Sequence, residues 1–127
     1  LSRAARTPCV LGTFDCCLWL ADWVMECRGG PDPVARWRGH YSTELGCARL
    51  LKREGGMVAL VHSAAATAML AATNDPRPGD IGLVWGMTPR GLGDIGAIKT
   101  ANGWAMLKHG GGLAMTPRVF VKASWAV

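Results

Sequence analysis

Two kinds of hydrophobic spacing divide the chain near residue 74. Before that point apolar residues come in long runs cut by glycine and proline, the spacing of packed helices. "FDCCLWLADWVMEC" predicts a helix over 15–28, with Thr13 or Asp15 placed to cap it and Gly29-Gly30-Pro31 to end it. Asp32 then caps a short helical turn in "DPVARWRGHY", where Pro33 takes the first helical position and its missing N–H costs nothing. "STELGCARLLKREGG" predicts a third helix, capped by Ser42 or Thr43, burying Leu45, Leu50 and Leu51, and stopped by Gly55-Gly56. "MVALVHSAAATAML" predicts a fourth, rich in alanine and able to pack closely.

"NDPRPGD" at 74–80 is a hard boundary. After it the apolar segments are short: 81–85, 95–99, 104–109, 112–116 and 119–127, separated by Gly, Pro and Asn-Gly turns. Asn102-Gly103 is a strong hairpin signal. Helices first and a meander afterwards predict an α+β fold, N-terminal helices packed on a C-terminal antiparallel sheet. The expected organisation is a single domain over 1–127, its helical half about 13–73 and its strand half about 80–127.

Composition adds limits. The chain has 127 residues, enough for one genuine core, and 50% of them are hydrophobic against 18% charged, which excludes a disordered class. The net charge of +5 is spread over scattered arginines. No block of like charge forms a nucleic-acid arm, so no nucleic acid is expected as partner. No apolar run reaches the roughly 18 residues of a membrane span. Six tryptophans stand against one tyrosine and two phenylalanines. Trp19, Trp23, Trp37, Trp85, Trp104 and Trp125 are therefore candidates both for core filling and for interface anchoring.

The cysteines are the candidate chemistry. Cys9, Cys16, Cys17, Cys27 and Cys47 are odd in number, and their spacing fits no zinc or ferredoxin pattern, so they read as reduced thiols with no metal or cofactor. A metal or iron–sulfur site built from Cys9, Cys16, Cys17 and Cys27 is the third reading weighed. A cysteine just inside a helix N-terminus feels the partial positive charge of unpaired N–H groups, which favours the thiolate. Unpaired cysteine is also among the most buried residue types, so packing stands beside catalysis.

The order of "FDCCLWLADWV", helices, "RPGDIGLVW" and the strand "DIGAI" resembles the NlpC-type branch of the papain-like cell-wall cysteine peptidases. That family opens a helix with Asp-Cys-Ser-Gly, enters its first core strand through a Gly-Asp turn, and takes its base from a His-x-Gly strand. The resemblance implies a papain-like fold, with Cys16 at the nucleophile position after Asp15 and Gly79-Asp80 at the strand entry. The order "DCCLWLADWV…GGPDP…RGHY" and the closing "GGGLAM…ASWAV" further resemble a branch of small proteins encoded in phage and prophage tail clusters beside the tail-tip hub.

The departures are as informative. Cys17 and Leu18 replace Ser-Gly, the base position falls on Asp94, and the third catalytic position falls near the apolar Leu107. A carboxylate cannot present a neutral imidazole with a pKa near 7. His40 reads as a capping or surface residue and His62 as an ordinary helix histidine. His109 lies in the strand half, two residues beyond the third position and hence on the same strand face, which makes it the one substitute base.

The resemblance thus implies first a structural adaptor, a degenerate peptidase docking on the tail-tip hub and distal tail proteins. It would be made in the host cytoplasm and carried in the virion. The alternative it implies is an active peptidoglycan-cleaving peptidase or amidase, with Cys16 as nucleophile, His109 as base and Asp94 as polar helper.

Overall fold

The structure is a computed structural model and describes residues 16–39, 41, 43–88, 91–107 and 112–127. Among these, three helices precede five strands. They are α1 (Cys16–Arg28), α2 (Glu44–Arg53), α3 (Met57–Thr67), β1 (Ile81–Thr88), β2 (Gly91–Thr100), β3 (Gly103–Leu107), β4 (Leu113–Thr116) and β5 (Phe120–Trp125). The class is α+β, and the strands form one antiparallel sheet in the order β4-β3-β2-β1-β5. Each of the first three strands pairs with the next in the chain, and β5 returns to the free side of β1.

Helix α1 is central because it is apolar on more than one side. Leu18, Trp19, Leu20 and Ala21 are all buried in succession, with Val24 one turn on. Four consecutive buried residues point around the whole helix, so it has to be covered all round. It lies on β2, while Leu18 packs in one cluster with Trp37, Leu50 and Leu60 from the segments that follow it. From the sheet, Ile81, Leu83, Ile98, Ala105 and Trp125 complete that cluster.

The two shorter helices are set by their ends. Thr43 Oγ1 accepts the Gly46 N–H at 3.0 Å, which caps α2. Its C-terminus closes when Gly56 N–H donates to Leu51 O at 2.7 Å, and the positive φ of Gly55 (89°) and Gly56 (105°) turns the chain straight into α3. The sequence places Leu45 on the buried side of α2, but it is 58% exposed. Leu50 and Leu51 face the core, and a ten-residue helix has room for only one narrow buried stripe.

The short helical turn expected in "DPVARWRGHY" is present over 33–39, where the Trp37 and Arg38 N–H groups donate to Val34 O at 2.9 and 3.0 Å, and side chains hold it in place. Arg38 reaches Asp32 Oδ2 at 2.7 Å and Asp22 Oδ1 at 2.9 Å, so one guanidinium ties this segment to α1. Asp32 Oδ1 also accepts the Val34 N–H at 3.1 Å. Burial alone would push the Asp32 carboxyl up, but the Arg38 hydrogen bond and the Val34 N–H outweigh it and hold the group below its ordinary range. Trp37, buried beside this clamp, donates its indole N–H to Glu54 Oε1 at 3.1 Å.

The opposite sheet face has its own apolar cluster, built on Val84, Ala97 and Trp104. The Trp104 indole crosses from β3 to lie against Gly82 on β1, so close that a Cβ there would stand 2.9 Å from its ring. Gly82 is therefore the floor on which that tryptophan lies.

Candidate functional site

The strand-entry turn is a structural joint. Gly79 has φ +98°, a backbone conformation that side chains disfavour. Its carbonyl accepts the Trp23 indole N–H at 2.8 Å, which ties α1 to the start of the sheet. Asp80 is buried, its Oδ2 accepting the Arg77 N–H at 2.8 Å and its Oδ1 the Val127 N–H at 3.0 Å. Its own backbone carbonyl takes the Lys99 N–H at 2.8 Å. All its acceptors serve the main chain and none is left for chemistry.

Asp94 sits differently. It lies within β2 opposite Trp85, while Gly96 faces Leu83 and Ile98 faces Ile81. By the period of two it shares the sheet face that bears on α1, and Leu107, which packs against the same cluster, shares it too. Lys122 Nζ stands 2.9 Å from Asp94 Oδ1 and 5.2 Å from the centre of the Trp85 ring. This is an ion pair off the hydrogen-bonding direction, for Oδ1 has no hydrogen-bond donor among the described residues. Lys122 is free to cross over β1 because a β-bulge falls opposite Leu83/Val84 and leaves it outside the β1–β5 ladder.

Around this pair three large apolar residues face out: Trp85 (42% exposed), Leu92 (62%) and Phe120 (70%). Phe120 is the cross-strand partner of Trp85, and Leu92 lies two residues from Asp94, so the three share one face and form one group. The sequence reading weighed Trp85 but missed Lys122, Leu92 and Phe120. The signal was present in "VFVKASW", where a lysine interrupts an apolar strand at the same period as the phenylalanine.

The other tryptophans are mostly not surface anchors. Trp19, Trp37, Trp104 and Trp125 are buried, each spent on the core or on the cover of a glycine, and Trp23 is half-buried and bound to Gly79. As interface residues of the folded chain they are corrected to core residues, and Trp85 stands as the exposed one.

The cysteine cluster is also corrected. Cys16 and Cys27 occupy the first and the last turn of α1, eleven positions apart, which is about 16 Å along a helix axis and far beyond the span of one metal site. No group of three metal-ligating side chains occurs among the described residues. Burial first, and then the Glu26 carboxylate, push the Cys27 thiol up, so it is held as the neutral form. Cys16 opens α1 as expected. Its side chain and that of Cys17, together with Cys9, Asp15, His40 and His109, lie outside the described residues. His62 is an exposed residue of α3, as the sequence suggests, with its ring tilted 44° to that of Trp125.

The fold and this site define a small α+β protein in which an aspartate–lysine pair holds the place expected for a catalytic ring. Over residues 1–127 the chain matches the family described as "Domain of unknown function (DUF6950)" and belongs to it. Comparison with curated proteins and with solved structures finds no match. Among the described residues no helix is long and apolar enough to cross a membrane.

Proposed function

We propose that the chain is a non-catalytic adaptor of a phage or phage-like tail tip, a papain-like domain of NlpC type reused for docking on the hub and distal tail proteins of the virion. The observation that carries this reading is the Asp94–Lys122 pair. At the position where the resembled peptidases place their base, a carboxylate is neutralised by an ammonium 2.9 Å away. Such a pair offers no ring nitrogen to take a thiol proton and return it to a leaving amine. The exposed Trp85, Leu92 and Phe120 beside it supply what an adaptor needs, since aromatic residues concentrate at the cores of protein interfaces.

The test pairs an activity with a binding measurement. Incubation of the protein with purified sacculi should release no soluble muropeptides. Co-expressed tail-tip hub should co-purify with it, and Trp85→Ser combined with Phe120→Ser should abolish that capture while the domain still unfolds in one cooperative transition. Sacculus hydrolysis that is lost in Cys16→Ala and kept in Cys17→Ala would overturn the proposal in favour of a working peptidase.

A further inference from the structure

Strand β5 borders the sheet, and part of its outer edge is already occupied by the same chain. Thr73 N–H donates to Ser124 O at 3.0 Å and Ala126 N–H to Ala71 O at 2.8 Å, with Ala72 bridged antiparallel to Trp125. From Ala123 back to Phe120 no segment pairs with that edge among the described residues. A free edge is a template for another strand, and a lysine within it is a common safeguard. Lys122 does not stand guard here. The bulge opposite Leu83/Val84 leaves it outside the β1–β5 ladder, and its ammonium lies over the Trp85 ring, 2.9 Å from Asp94.

Beside the free stretch lies a groove of about 420 Å³, walled by Val58 and His62 of α3, by the 72–76 turn and by residues 121–125. Val58, Ala72, Pro76, Val121 and Ala123 make its walls largely apolar. Phe120, next along the strand and 70% exposed, does not line it. An exposed ring and an open groove thus sit side by side on one strand edge.

Two-fold symmetry brings each to the other. Two copies of one edge pair antiparallel about a two-fold axis, so that residue i faces j and j faces i. Ser124 O is already spent on Thr73 N–H, so a pairing confined to the free stretch sets Phe120 opposite Ala123 of the second copy. Across β1, Phe120 faces Trp85 and Ala123 faces Leu83, which places both on the helix side of the sheet. The Phe120 ring therefore arrives on the side of Val58 and His62, where the groove opens. Two residues further out, Arg118 reaches the end where the 72–76 turn of the second copy carries Asp75, and both side chains are exposed. Opposite charges meet there twice, once at each end of the interface.

We infer that this edge is a two-fold interface between copies of the chain. The free stretches of β5 pair, and each Phe120 ring fills the groove of the other copy. The two rings, the walls that receive them and the paired edges amount to roughly 1,000 Å². That is the low end for a specific interface, so the dimer is weak and concentration-dependent. The inference does not rest on the adaptor reading, since it uses Phe120 and the edge and leaves Trp85 and Leu92 to a tail partner.

Sedimentation of the full chain from about 1 µM to about 500 µM should show a monomer giving way to a dimer. Phe120→Ser should weaken association at least tenfold, roughly the loss expected for an aromatic anchor. His62→Arg, an exposed change that puts a charge in the groove, should do the same, so the result does not hinge on one variant. Arg118→Glu and Asp75→Arg should each weaken the dimer and together restore it. The amides of residues 121–123 should gain exchange protection as protein concentration rises, and lose that gain in Phe120→Ser. A chain that stays monomeric at the highest concentration would overturn the inference. So would a dimer indifferent to both groove variants, charge changes that do not compensate, or amides left unprotected in the dimer. Protection that appears only with co-expressed hub would overturn it too, assigning the edge to a different protein. Hub capture by a strictly monomeric chain sinks this inference alone, and a dimer that ignores the hub sinks the adaptor reading alone.

Discussion

The tetrapeptide Gly-Asp-Ile-Gly occurs twice, at 79–82 and at 93–96, and the two copies have opposite fates. In the first, the aspartate precedes the strand, is buried, and spends both carboxylate oxygens on backbone N–H groups. Its isoleucine enters the helix-packed core and its second glycine underlies Trp104. In the second copy the phase is reversed. The aspartate lies inside β2 on the helix side, while Ile95 packs with the cluster on the other face. A shift of one residue in strand entry exchanges the faces of everything that follows. The same four letters thus make a joint at one end of the sheet and a charged, partly open site at the other.

The sharpest way to break this comparison is to remove each carboxylate in turn. Asp80→Ala removes the buried carboxylate to which the Arg77 and Val127 N–H groups donate and loosens the turn that Trp23 holds. A loss of about 3 kcal/mol is expected, because two hydrogen bonds to a charged acceptor are lost and each is worth roughly 1.5–3 kcal/mol. Urea denaturation measures it, and a loss no larger than that of Asp94→Ala would erase the distinction between the two copies.

How far the sequence carried the fold follows from the same contrast. The three helices and the five strands were legible because glycine and proline punctuate them and because α1 is apolar without interruption. The facing of Leu45 was not, since spacing alone does not decide which side of a short helix meets the core. The cysteine cluster failed for a geometric reason, as residues grouped in sequence are set far apart once they share one helix. Asp94 could be singled out from the order of motifs, but its partner could not. Lys122 comes from the edge strand β5, separated from β2 by β1, and a bulge directs it across.

The second glycine of the first copy gives an intermediate effect. A methyl group at Gly82 would meet the Trp104 ring at 2.9 Å and the Ala123 carbonyl at 3.0 Å. Neither neighbour is the far end of a flexible side chain, so Gly82→Ala should cost about 2 kcal/mol, in the range for overpacked cores. A smaller indole should relieve it. Trp104→Leu is expected to be destabilising alone yet to cost less in the Gly82→Ala background, and thermal unfolding of the four proteins reads the coupling. Simple additivity would mean that Trp104 does not rest on Gly82.

The smallest effect is expected at the second aspartate, and a small value would support the adaptor reading. Lys122 and Asp94 keep 34% and 17% of their side chains exposed, so water and salt screen the pair. A double-mutant cycle with Asp94→Asn and Lys122→Met should return a coupling of no more than about 1 kcal/mol, falling as salt is raised. A structural joint would cost far more to cut, as Asp80 should show. A weak, salt-sensitive pair beneath Trp85 and Phe120 is instead a polar contact that a docking partner can rearrange without unfolding the domain. A coupling of several kcal/mol, insensitive to salt, would make Asp94 a second joint of the fold. The position expected for a base would then be occupied for stability, and the exposed aromatic group above it would have to act alone.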